Sequence, residues 1–171
     1  MTQDKFWKII EKANGITDPS EIVKVVREEL EKCTPQELIE YQKHFDTFFD
    51  KANQWNIWGA IYLIHGGCGD DSFMDFRYTL ISRGKDIYEK AIQEPDSLVT
   101  LRFNDDIFED LFNEMFGYIA IELYEEKTDD DIYNSINLNN TEEDMGEEWD
   151  FDDRDECLKR LPKITEKFWK E

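Results

Sequence analysis

Apolar residues recur along the chain at helical spacing and almost nowhere at the alternation of a strand. Phe6, Ile9, Ile10 and Ala13 fall at i, i+3, i+4 and i+7, with Trp7 widening the stripe. This predicts a helix over 2–13, with Thr2 as its N-cap and Asp4 near its positive end. Asn14-Gly15 ends it. Asp18-Pro19-Ser20 opens a second helix to about residue 32, whose apolar positions Ile22, Val23, Val25, Val26 and Leu30 alternate with charge. Thr34-Pro35-Gln36-Glu37 is a capping box with proline at the first helical position. The helix it opens runs to about residue 53 and carries Leu38, Tyr41, Phe45, Phe48, Phe49 and Ala52; His44 among them reads as a partly exposed structural histidine.

A fourth helix over 54–65 is apolar round most of its circumference, with Trp55, Trp58, Ile61, Tyr62 and Leu63, and should be deeply buried. Gly59-Ala60 permits a close helix contact, and Gly66-Gly67 stops the helix. Asp70, Asp71 or Ser72 then caps a fifth helix ending at Gly84, and a sixth covers 85–93 before Pro95. Leu98, Val99, Leu101 and Phe103 form a short run readable as an isolated extended piece, without a partner strand. Asn104-Asp105-Asp106 caps a long helix to about residue 126, bearing Ile107, Phe108, Leu111, Phe112, Met115, Phe116, Ile119 and Leu123. Periodicity fails over 127–150, which reads as a mobile acidic loop. Residues 151–171 turn helical again and dock back through Leu158, Leu161, Ile164, Phe168 and Trp169. The pattern therefore predicts an all-α, single-domain bundle of seven to eight helices spanning 1–171.

Composition changes this picture in one respect. With 20 Lys and Arg against 41 Asp and Glu among 171 residues, the net charge is -21. Residues 122–156 hold sixteen acidic and two basic side chains, a net of -14, so two thirds of the charge lies in about a fifth of the chain. Such a surface repels nucleic-acid phosphates and anionic membranes and attracts basic proteins or cations. Aromatic content of 14% separates the chain from disordered acidic sequences. No apolar run approaches a membrane span, and no signal peptide is evident at the start. Three widely spaced cysteines, Cys33, Cys68 and Cys157, read as reduced thiols in a cytoplasm.

Candidate chemistry concentrates at the corner between the fourth and fifth helices, His65-Gly66-Gly67-Cys68-Gly69-Asp70-Asp71. Cys68 beside a helix start invites a lowered pKa with His65 as base, but no oxyanion donor or orienting group accompanies them. As a metal site, His65, Cys68, Asp70 and Asp71 match no zinc module, and the acidic runs lack the calcium-loop pattern. Familiar nucleotide loops and basic-aromatic patches are absent, and no cofactor is implied. The simpler reading gives the glycines a turn, Cys68 a core position and the aspartates a helix cap. Arg77, surrounded by Phe73, Phe76, Tyr78, Leu80 and Ile81, is expected half-buried and ion-paired with Asp70, Asp71 or Asp75; an anion clamp is the alternative. With Trp58, these residues form the candidate ligand- or partner-binding set: His65, Cys68, Asp70, Asp71, Arg77 and Trp58.

The N-terminal DKFWKIIEKA and the central WGAIYLIHGGCGDDSFMDFRYTLISRGKDIYEKAIQEPDSL resemble the DUF4240 family of mainly bacterial, uncharacterised proteins. A weaker likeness extends to MGEEWDFDD and LPKITEKFW; the family usually has a small polar residue where this chain has Gly69. The resemblance implies a small helical module and carries over no catalytic residue. The expected function is a non-enzymatic interaction module, of regulatory or immunity type, whose acidic face binds a basic partner. The competing expectation is a small-molecule- or metal-dependent enzyme centred on the His65–Arg77 corner.

Overall fold

Three helix starts are closed by the side chains the sequence places there. Thr2 accepts from the Lys5 amide at the head of α1 (Gln3–Ile10), and Asp18 accepts from the Glu21 amide at the head of α2 (Pro19–Leu30). Thr34 and Glu37 exchange bonds in a complete capping box that opens α3 (Pro35–Lys51). The computed structural model describes residues 1–101, 111–136 and 144–170, and is all-α with no strand among them. The first helix tightens into a 3₁₀ turn at Glu11–Ala13. α4 (Trp55–His65), α5 (Asp70–Ser82) and α6 (Lys85–Gln93) follow the expected order and lengths. No helix among the described residues is long and apolar enough to cross a membrane.

The aromatic stripes of α1 and α3 meet as expected. Phe6, Trp7, Tyr41, Phe48 and Tyr88 form one cluster with ring centroids 4.6–5.4 Å apart. Each ring is almost wholly buried, so this cluster joins α1, α3 and α6 within the core. The Tyr88 hydroxyl donates to the Phe48 carbonyl at 2.7 Å, a second bond on an oxygen that also accepts from the Ala52 amide, so the buried phenol is satisfied at the end of α3.

Two expectations are corrected. The helix predicted over 104–126 is not continuous. Residues 102–110 lie outside the described set; beyond them Phe112 and Asn113 leave helical geometry, Glu114–Tyr118 is 3₁₀, and α7 covers Ile119–Thr128. The break has a visible cause: the Asn113 amide donates to Thr79 Oγ1 of α5 at 2.9 Å, and its side chain donates to the Pro19 carbonyl at 3.3 Å. Tertiary partners take the backbone group that a continuous helix would use.

The expected extended piece is instead a 3₁₀ helix, Pro95–Thr100, with Phe103 outside the described residues. Its buried Asp96 accepts from the amides of Lys163 (3.1 Å) and Ile164 (2.9 Å), so it satisfies the head of α9 (Pro162–Phe168) from a distant part of the chain. Asp153 caps α8 (Arg154–Arg160), and Pro162 separates the two C-terminal helices. In the acidic stretch the carboxylates 129–131 are exposed, while Ile132, Ile136 and Trp149 are buried.

Candidate functional site

The corner after α4 is a turn that only glycine accepts readily. Gly66 has φ +83° and Gly67 φ +127°, both in the left-handed region. Their amides donate to the Tyr62 carbonyl and close the helix. His65 Nδ1 lies 2.6 Å from the Gly67 carbonyl, and its ring stands edge-on to Phe112 at 5.0 Å. Trp58 Nε1 donates to the Cys68 carbonyl at 2.8 Å, tying α4 to the turn.

Cys68 is half-buried, and its thiol contacts the Gly69 carbonyl. Burial, with Asp75 adding to it, pushes the thiol up to about 12, the opposite of an activated nucleophile. Asp70 and Asp71 occupy the exposed first turn of α5, but the N-cap is Gly69 and no side chain caps this helix. The expected aspartate or serine cap is therefore corrected. The carboxylates still favour the positive helix end without making the capping bond. Among the described residues, no group of three His, Cys, Asp or Glu side chains gathers to hold a metal ion.

Arg77 departs most from expectation. It makes no ion pair with Asp70, Asp71, Asp75 or any other described carboxylate. Instead its guanidinium lies over Phe49 at 3.8 Å and Phe73 at 5.2 Å, and Nη1 donates to the Phe49 carbonyl at 3.3 Å. Buried Nε has no partner among the described residues. Burial lowers the guanidinium to about 10, opposed by Tyr78 and Asp50, so it is charged at neutral pH. Arg77 is the cationic rung of an aromatic ladder. On one side Trp55 stacks on Trp58 (5.2 Å, 7°) and Trp58 on Phe73 (4.9 Å, 7°); on the other Phe49 stacks on Tyr78 (4.8 Å, 21°). Two phenyl faces and the negative end of α3 outcompete solvated aspartates for this cation.

A second arrangement joins α4 to the acidic segment before α8. The Trp55 amide donates to the Met145 carbonyl at 3.0 Å, and Trp149 lays its indole on Gly59. Trp55, Tyr62, Trp149 and Phe151 line a cleft of about 550 Å³ with Glu148, Asp150 and Asp152 beside them. The Tyr62 hydroxyl donates to Asp152 at 2.8 Å, a bond that raises the phenol's pKa. Glu148, Asp150 and Asp152 are exposed, and none pairs with a cation among the described residues. Another hollow of about 450 Å³ lies between the end of α1 and the α5–α6 turn. Its charged lining is mixed, with Arg83, Lys85 and Lys90 beside Glu11 and Asp86.

The structure thus divides the candidate set. Trp58, His65 and Cys68 lock the turn, Asp70 and Asp71 face solvent, and Arg77 turns away into the ladder. Sequence reasoning missed the cleft, although its signal is present: aromatic and acidic residues alternate over 148–152, opposite Trp55 and Tyr62 at i and i+7 of α4. No curated protein and no solved structure matches the chain. A family model described as a protein of unknown function, DUF4240, does match, over residues 1–126. That span holds the corner, Arg77 and the α4 wall of the cleft; the 148–152 wall lies beyond it. The chain belongs to the DUF4240 family.

Proposed function

We propose that this protein is a non-enzymatic interaction module, regulatory or immunity-type, whose acidic face around 144–156 binds a basic protein partner. The observation that carries this reading is the state of that face. Its carboxylates Glu148, Asp150, Asp152 and Asp155 are exposed and have no cationic partner among the described residues, yet they sit on backbone anchored by buried Trp149. Charge held on an anchored backbone presents one pattern to a partner and loses less entropy on binding than charge on a free chain. The competing reading, an enzyme at the corner, has less behind it. The Cys68 thiol is held protonated, and Arg77 is engaged between rings.

The test is affinity purification from native cells with wild type and the charge-reversed E148K/D150K variant, at low and high salt. The expected result is a basic protein recovered by wild type, at least several-fold depleted with the variant, and released by salt. A partner held equally by both proteins in high salt would overturn the reading.

A further inference from the structure

We propose that the hollow between the end of α1, the α5–α6 turn and the 3₁₀ helix Pro95–Thr100 binds a free aliphatic amino acid, its carboxylate at the head of α6 and its ammonium against Glu11. The site is separate from the acidic face. α6 begins without a side-chain cap. Its first bonded amide is that of Tyr88, to the Gly84 carbonyl, which leaves the amides of Lys85, Asp86 and Ile87 without a partner among the described residues. All of these residues line the hollow, and open amides at a helix head attract carboxylates.

The Pro95–Thr100 wall holds another open group. Ser97 lines the hollow, is only 7% exposed, and its hydroxyl makes no hydrogen bond among the described residues. Successive side chains on a 3₁₀ helix point about 120° apart, and residues three apart eclipse. Asp96 is directed to the head of α9, so Ser97 turns away from it, to the side of Thr100, which also lines the hollow. A hydroxyl held in this way is a ready donor for a ligand carboxylate.

The lining selects the ligand. Arg83, Lys85 and Lys90 stand beside Glu11 and Asp86, so both signs of charge border the hollow. A simple anion would meet two carboxylates there, whereas a zwitterion meets each charge with its opposite. The two signs also lie close together. A Cβ on Gly84, the residue before the open amides, would lie 3.7 Å from Glu11 Cγ and 3.0 Å from Asn14 Oδ1. Neither the Glu11 carboxylate nor the Asn14 side chain is hydrogen-bonded or ion-paired among the described residues. Acceptors placed beside donors match an α-amino acid, whose ammonium and carboxylate share one carbon. Ile16, Leu101 and the 41%-exposed Ile87 supply an aliphatic wall, and no aromatic ring lines the hollow among the described residues. The wall therefore suits an aliphatic side chain better than a planar ring.

The experiment titrates leucine, isoleucine, valine and methionine into the wild-type protein and follows the backbone amides of Lys85, Asp86 and Ile87 by NMR. The tightest binder is then compared with its analogues lacking the ammonium or the carboxylate, which for leucine are isocaproate and isopentylamine. At least one amino acid is expected to shift these amides, and each analogue to bind at least about tenfold more weakly. In Glu11→Gln the preference over the analogue without the ammonium should fall below about threefold. An analogue of either kind that binds wild type as tightly as the amino acid overturns the site. Amino acids that all leave the α6 amides in place, or that shift only amides away from the hollow, overturn it too. A preference that survives undiminished in Glu11→Gln overturns the pairing of the ammonium with Glu11. The analogue comparison needs no variant, so it decides the matter even if Glu11→Gln does not fold.

Discussion

Arg77 illustrates how a half-buried cation is stabilised without a carboxylate. Its guanidinium gains from two phenyl faces and from an α3 carbonyl that would otherwise lack a side-chain donor. Arg77→Ala removes all three and should cost about 2 kcal/mol, read from urea denaturation. Arg77→Lys keeps a charge at the negative end of α3 but loses the flat contact, so its midpoint should fall between the two. Asp46 presents the opposite problem. It accepts from Gln42 and Tyr133, but burial raises its carboxyl from 3.8 to about 6, with Asp50 adding to the shift. Because the folded form holds the proton more tightly, this residue destabilises the fold as pH rises through the interval from about 4 to 6. The stability of Asp46→Asn relative to wild type should therefore rise across that interval and level off above it. Urea midpoints at a series of pH values check this; a difference that stays flat with pH would show that Asp46 titrates normally.

At the scale of elements, local signals were readable and long-range ones were not. Caps at Thr2, Asp18 and Thr34, and the glycine stops at Gly66 and Gly84, depend on neighbours within a turn, so the sequence displays them. The break at Asn113 depends on Thr79, and the 3₁₀ turn at 95–100 is tied to α9 through Asp96; periodicity contains neither contact. The same limit applies to the candidate site. The corner was visible as a turn, but the seat of Arg77 depends on Phe49 of a separate helix, and the cleft on a segment some ninety residues from α4. Gly59 makes this concrete. The expected close helix contact is instead an indole: a Cβ there would lie 2.3 Å from Trp149 Cζ2. Gly59→Ala should destabilise by about 1–3 kcal/mol through overpacking. The penalty should shrink in a Trp149→Ala background, where the obstructing ring is gone. Equal penalties in both backgrounds would mean that the indole does not rest on α4.

Across the whole molecule, charge and core pull in opposite directions. A net charge of -21 repels itself, and most of the excess lies in the C-terminal part of the chain. Ion pairs such as Arg27 with Glu122 and Glu126, and Arg160 with Glu147, relieve only a fraction of it. Thermal unfolding should move to higher temperature as sodium chloride rises from about 0.02 to 0.2 M, because screening weakens the repulsion more than it weakens the few surface pairs. A falling Tm over that range would mean that the pairs dominate.

The packing beneath the acidic face has a kinetic consequence. Cys157 is fully buried, its thiol donates to the Phe151 carbonyl at 3.3 Å, and burial with Asp153, Asp150 and Asp152 pushes it up to about 11. A thiol reagent therefore reaches this sulfur only while the Phe151 segment is lifted. Its labelling rate is a built-in clock for how often that wall of the cleft opens, and an occupant bridging the cleft would slow the clock.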